Sequence, residues 1–70
     1  MKLQVNGEAM VFEEQMTAAQ LLVFLKLRPE LVVVELNEVI LKRDELPDRQ
    51  LQEGDQVEIV HFVGGGSQDV

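Results

Sequence analysis

Cysteine is missing from this 70-residue chain, as are tryptophan and tyrosine. No disulfide can form, and thiolate zinc sites are excluded. A cysteine-free chain fits a reducing compartment. Basic residues are scarce: 6 Lys and Arg stand against 13 Asp and Glu, for a formal net charge of −7. Binding nucleic acid through its phosphates needs a basic face, so that class is set aside. The acidic balance favours solubility and steering toward a basic protein partner. No apolar run approaches the roughly 20 residues of a membrane-spanning helix. Residues 1–7 are too polar and too short for a signal peptide, and the expected location is the cytoplasm.

What is present is a small apolar core. Hydrophobic residues make up 46% of the chain, enough to distinguish it from a disordered acidic segment. Seventy residues leave room for one domain and for no deep pocket. Residues 2–5 alternate polar and apolar, as a half-buried strand does, with Leu3 and Val5 inward. Asn6-Gly7 is a strong hairpin signal, because both residues tolerate positive φ, and residues 8–12 read as the returning strand. Thr17 and Gln20 have the spacing of a capping box. Ala18, Leu21, Leu22 and Leu25 then fall on one helical stripe. The predicted helix spans residues 17–26 and is limited by Pro29.

Residues 31–36 are rich in β-branched side chains and read as a central strand, with Val32, Val34 and Leu36 inward and Val33 and Glu35 outward. A turn at Asn37-Glu38 leads to a short strand over residues 39–41. Residues 42–48 are charged, contain Pro47, and are expected to be irregular or one tight turn, with Leu46 and Leu51 plugging the core. Gly54-Asp55 is a turn signal, and residues 56–63 form the last strand. The element order is strand, strand, helix, strand, short strand, strand. That order predicts an α+β roll with a mixed sheet of four to five strands and one main helix packed across it. If the last strand pairs in parallel beside the first, the arrangement is the β-grasp, or ubiquitin-like, fold. Residues 1–63 form the domain, and residues 64–70 a flexible glycine-rich C-terminal tail.

No catalytic or metal-binding set emerges. His61 is the sole histidine and has no cysteine or second histidine to share a metal. Glu13-Glu14 and Asp44-Glu45 are carboxylate neighbours in sequence and read as solvated charge. Ser67 and Thr17 lack the companions of a nucleophilic triad. Gly64-Gly65-Gly66 is not a phosphate loop, since no helix follows it. Three glycines directly after a strand make instead a thin arm that can enter a cleft where a Cβ would clash.

In blocks that run from Asn6-Gly7-Glu8 to Phe62-Val63-Gly64-Gly65-Gly66, the chain along its whole length to Gly66 resembles the ThiS family of ubiquitin-like sulfur carriers of thiamine biosynthesis. The resemblance is carried by Asn6-Gly7-Glu8, by Thr17-Ala18 with Leu21-Leu22, and by Val34-Glu35-Leu36-Asn37. It is strongest in the block from Gly54-Asp55-Gln56-Val57 to His61-Phe62-Val63-Gly64-Gly65-Gly66. The resemblance implies a protein cosubstrate and not an enzyme. An E1-like adenylyltransferase uses ATP to activate the C-terminal glycine as an acyl-adenylate. A cysteine desulfurase or other sulfur donor then yields a thiocarboxylate, which thiazole synthase consumes. The carrier itself binds no cofactor and is expected to be a monomer when free. The reactive terminus is Gly66, or alternatively Gly65.

Two features depart from the family pattern. Ser67-Gln68-Asp69-Val70 follows the glycines, so a processing protease is expected to expose Gly66. The second hairpin has Asn37-Glu38 where the family often has Asn-Gly, removing the glycine that a two-residue type I′ turn favours. Docking is expected on the sheet face away from the helix, through Phe62, Val60, Glu58 and Val33. The competing readings are a carrier for molybdopterin, cysteine or homocysteine pathways, a ubiquitin-like tag, and a plain interaction module with an inert tail.

Overall fold

The computed structural model describes residues 1–62. Val63, the glycine run, residues 67–70 and the expected boundary between domain and tail lie outside the described residues. Five strands and one helix follow in the expected order: β1 (Lys2–Val5), β2 (Glu8–Val11), α1 (Ala18–Phe24), β3 (Val32–Leu36), β4 (Val39–Leu41) and β5 (Gln56–His61). They form one mixed sheet of order β2-β1-β5-β3-β4. β5 lies parallel to β1 and antiparallel to β3, which places the last strand at the centre of the sheet. This is the β-grasp arrangement.

Alternation along each strand builds the core. Leu3, Val5, Val32, Val34, Leu36, Leu41, Val57 and Ile59 are buried on one face, beneath Ala18, Leu21 and Leu22 of α1. Leu46 and Leu51 close the core from the irregular segment, as their positions in the sequence suggest. That segment is tied to the start of the helix. Arg49 C=O accepts from Ala18 N–H, Leu46 C=O from Ala19 N–H, and Met16 C=O from Leu51 N–H. Donors at a helix N-terminus have no partner within the helix, so the loop supplies acceptors that α1 lacks.

The helix starts as predicted, with Thr17 as N-cap and both capping-box hydrogen bonds formed. It is shorter than predicted and ends at Phe24 with Leu25 as C-cap. Pro29 does not stop it. Leu27 N–H donates to Leu22 C=O and Lys26 N–H to Val23 C=O, with Lys26 at φ 62°. This is a Schellman ending in which lysine takes the left-handed position usually held by glycine. Pro29 instead opens a 3₁₀ turn, Pro29–Leu31, so β3 begins at Val32 and not at Leu31. A second 3₁₀ turn, Arg43–Glu45, supplies the single tight turn of residues 42–48.

Both hairpin turns have positive φ at both central residues. The values are 50° and 84° at Asn6-Gly7, and 51° and 72° at Asn37-Glu38. The second turn therefore has the backbone signs of a type I′ turn despite lacking glycine. Asn37 holds it in place. Its side chain accepts from Gln56 N–H at 2.9 Å and donates to the Asp55 carboxylate at 3.1 Å.

Candidate functional site

The candidate site is the open face of the sheet, opposite α1, together with the strand that leads toward the glycines. Register fixes its layout. Val33 stands opposite Val60, and Glu35 opposite Glu58 on one side and Ile40 on the other. One residue beyond β5, Phe62 N–H donates to Leu31 C=O at 2.9 Å, so the pairing with the β3 side continues through residue 62. Val33, Glu58, Val60 and Phe62 therefore share one face of the molecule. Val60 and Phe62 are each 54% exposed, and Ile40 62%. A shallow cleft of about 180 Å³ opens beside Phe62, between Pro29, Val33, Ile40 and Arg43. Gly64, Gly65 and Gly66 lie outside the described residues.

Two members of this face were not singled out as site residues from sequence. Ile40 sits on a three-residue strand whose short run does not reveal which side faces out. Glu35 reads as outward from the sequence, but its partner depends on the β3–β5 register, which no sequence pattern displays. The register sets Glu35 directly across from Glu58. Like charges facing each other across strands are destabilising, and no cation bonds either carboxylate among the described residues. The sole ion pair there, Arg28–Glu30 at 2.8 Å, lies elsewhere. A hydrogen bond from its own backbone, and after it the pairing with Arg28, lower the pKa of the Glu30 carboxyl from its ordinary value.

β5 is secured by asparagines from both hairpins. The Asn6 side-chain carbonyl accepts from Ile59 N–H at 2.7 Å, and Asn6 N–H donates to Val57 C=O at 2.8 Å. Asn37 holds the other end of the strand through Gln56 N–H. Neither contact is visible in sequence, where Asn6 and Asn37 read as turn formers alone.

Other candidate chemistry does not assemble. Among the described residues no group of three His, Cys, Asp or Glu side chains is placed to hold a metal. His61 is exposed at the end of β5. A groove of about 340 Å³ on the helix side is lined by Met16, Gln20, Val23 and Phe24, with Glu14 as its one ionisable residue. No described helix is long and apolar enough to cross a membrane.

Comparison with known proteins agrees with this geometry. The ThiS family model matches residues 3–66. The chain is 37% identical to the sulfur carrier protein ThiS of Bacillus subtilis, over 91% of this chain and 98% of that protein. It is 44% identical to a thiazole synthase of Magnetococcus marinus over 94% of this chain, and 40% identical to one of Paramagnetospirillum magneticum over 96%. The chain spans 20% and 21% of the length of those two synthases. Among solved structures, the crystal structure of the thiamine biosynthesis protein ThiS of Geobacter metallireducens superposes with a TM-score of 0.82 at 38% identity. It covers 94% of this chain and 100% of that one.

Proposed function

This chain belongs to the ThiS family, and from that premise we propose that it is a sulfur carrier of thiamine biosynthesis whose C-terminal glycine bears the sulfur. The observation that carries the reading is the family match through Gly66, which takes in the whole glycine run. An adenylyltransferase joins the Gly66 carboxylate to AMP from ATP with release of pyrophosphate. A persulfide from a sulfur donor such as a cysteine desulfurase system displaces AMP to give an acyl persulfide. A thiol cleaves its S–S bond, leaving the thiocarboxylate and a disulfide between that thiol and the donor. Thiazole synthase accepts the sulfur. The two thiazole synthases that contain a stretch similar to this chain support that acceptor. The carrier supplies no acid, base or metal. Its contribution is a docking face and an unbranched arm that leaves the reacting carbonyl uncrowded.

Val33, Val60 and Phe62 form the apolar anchor of that docking face, with Ile40 beside them. The facing carboxylates of Glu35 and Glu58 favour a basic counterpart on the enzyme. Ser67 must be removed first, because a Gly66 carbonyl held in an amide has no free carboxylate; a protease that hydrolyses the Gly66–Ser67 bond supplies it. The test is the intact mass of the protein purified untagged from its own cells. A species ending at Gly66, part of it heavier by the difference between sulfur and oxygen, is the expected result. A chain that keeps residues 67–70 under thiamine starvation overturns the reading in favour of an interaction module.

A further inference from the structure

The two sides of β5 are not paired to the same length. On the β3 side, pairing runs through the hydrogen bond from Phe62 N–H to Leu31 C=O. On the β1 side it stops earlier. β1 ends at Val5 and the chain turns at Asn6-Gly7, so backbone pairing ends at Val57 C=O. The Asn6 side-chain carbonyl then stands where a further strand residue would present its own C=O, and takes the Ile59 N–H. In the β3–β5 register, Ile59 and His61 direct their backbone groups away from β3, since hydrogen-bonded pairing falls on residues 56 and 62 and on the even residues between them. The next groups on the β1 side are Ile59 C=O and His61 N–H. Neither has a hydrogen-bond partner among the described residues.

We propose that Ile59 C=O and His61 N–H form a short open strand edge, completed by an extended backbone segment of the adenylyltransferase. This inference rests on the carrier reading. One residue of that segment satisfies both groups, its N–H donating to Ile59 and its C=O accepting from His61. Asn6 already does the same one step earlier for Val57 and Ile59. Three observations select this occupant. The edge lies on the strand that runs into Gly64-Gly65-Gly66, so a strand added there fixes the direction in which the arm leaves the domain. It is continuous with the open face of Val60 and Phe62. It also lies on the strand that carries Glu58, in a chain of net charge −7, which suits a basic segment. Unpaired strand edges are templates for an incoming strand, and an edge this short admits a brief segment and not a sheet.

A pair of variants separates backbone from side chain. His61→Ala keeps the N–H and removes the imidazole, whereas His61→Pro removes the N–H. Proline is tolerated where a strand N–H faces an open edge. Affinity of the full chain for the adenylyltransferase of its own cells is measured by calorimetry. His61→Ala is expected to bind like the native protein, and His61→Pro about tenfold more weakly, the scale of one lost hydrogen bond. If His61→Pro lowers the melting temperature, a synthetic chain with an ester in place of the Val60–His61 amide replaces it. Native affinity in the variant lacking the N–H overturns the edge while leaving the carrier reading standing. A native chain that does not bind the enzyme overturns both.

Discussion

The two faces of the sheet are made from the same strands and much the same residue types. Along β3, Val32 and Val34 are buried beneath α1, while Val33 between them lies on the open side. Along β5, Val57 and Ile59 are buried, while Val60 and the neighbouring Phe62 stay about half exposed. Covering by α1 makes one face the store of stability. The uncovered face keeps valine, isoleucine and phenylalanine in water beside two carboxylates that face each other, an arrangement that lowers folding stability and suits a partner. Identical side chains thus hold the fold or stay in water according to which side of a pleat they occupy.

The sharpest way to break that contrast is to cut the covered face. Leu21 is 1% exposed at the centre of α1, and Leu21→Ala is expected to lower the unfolding free energy by about 3 kcal/mol in urea titration. A loss under 1 kcal/mol would mean that α1 is not the main cover. On the open face the pattern reverses. Phe62→Ala is expected to weaken adenylyltransferase binding by about 2 kcal/mol, as an interface anchor does, with the melting temperature nearly unchanged. Parallel losses of stability and binding would assign Phe62 to the core.

Asn6 links the faces by holding β5 against the first hairpin. Asn6→Gly keeps the positive φ but orphans Ile59 N–H, and about 1 kcal/mol of stability should be lost. Native stability in that variant would show water replacing the side chain. Glu58→Gln removes the like-charge pairing with Glu35. It should raise stability by about 0.5 kcal/mol while slowing association with the adenylyltransferase at low salt. A variant that associates as fast as the native chain would remove the carboxylates from recognition.

The smallest effect belongs to Glu30. Its folded pKa is lowered from 4.5, so it stabilises the fold above that pH, and the contribution fades as pH falls through the lower folded value. The stability difference between native protein and Glu30→Gln should shrink on acidification through this window. A difference that grows there would reverse the sign of the linkage.

The sequence by itself determined the element order, the inward residues of β1, β3 and β5, the capping box at Thr17 and the Asn6-Gly7 hairpin. Each is a local matter, set by periodicity of two or 3.6 residues, by hydroxyl and amide capping, or by tolerance of positive φ. Alternation along each strand also turned Val33 outward on β3 and put Glu58, Val60 and Phe62 on one side of the last strand, while the β3–β5 register joins them on one face. Tertiary structure decided what depends on partners distant in sequence. Glu38 accepts a left-handed conformation within a hairpin that Asn37 fixes by reaching Asp55 and Gln56. The pairing of Glu35 with Glu58 needs the β3–β5 register, and the grip of Asn6 on Ile59 joins residues 53 positions apart. No periodicity encodes such contacts. They exist because β5 inserts between β1 and β3, and that insertion leaves the last strand paired farther on one side than on the other.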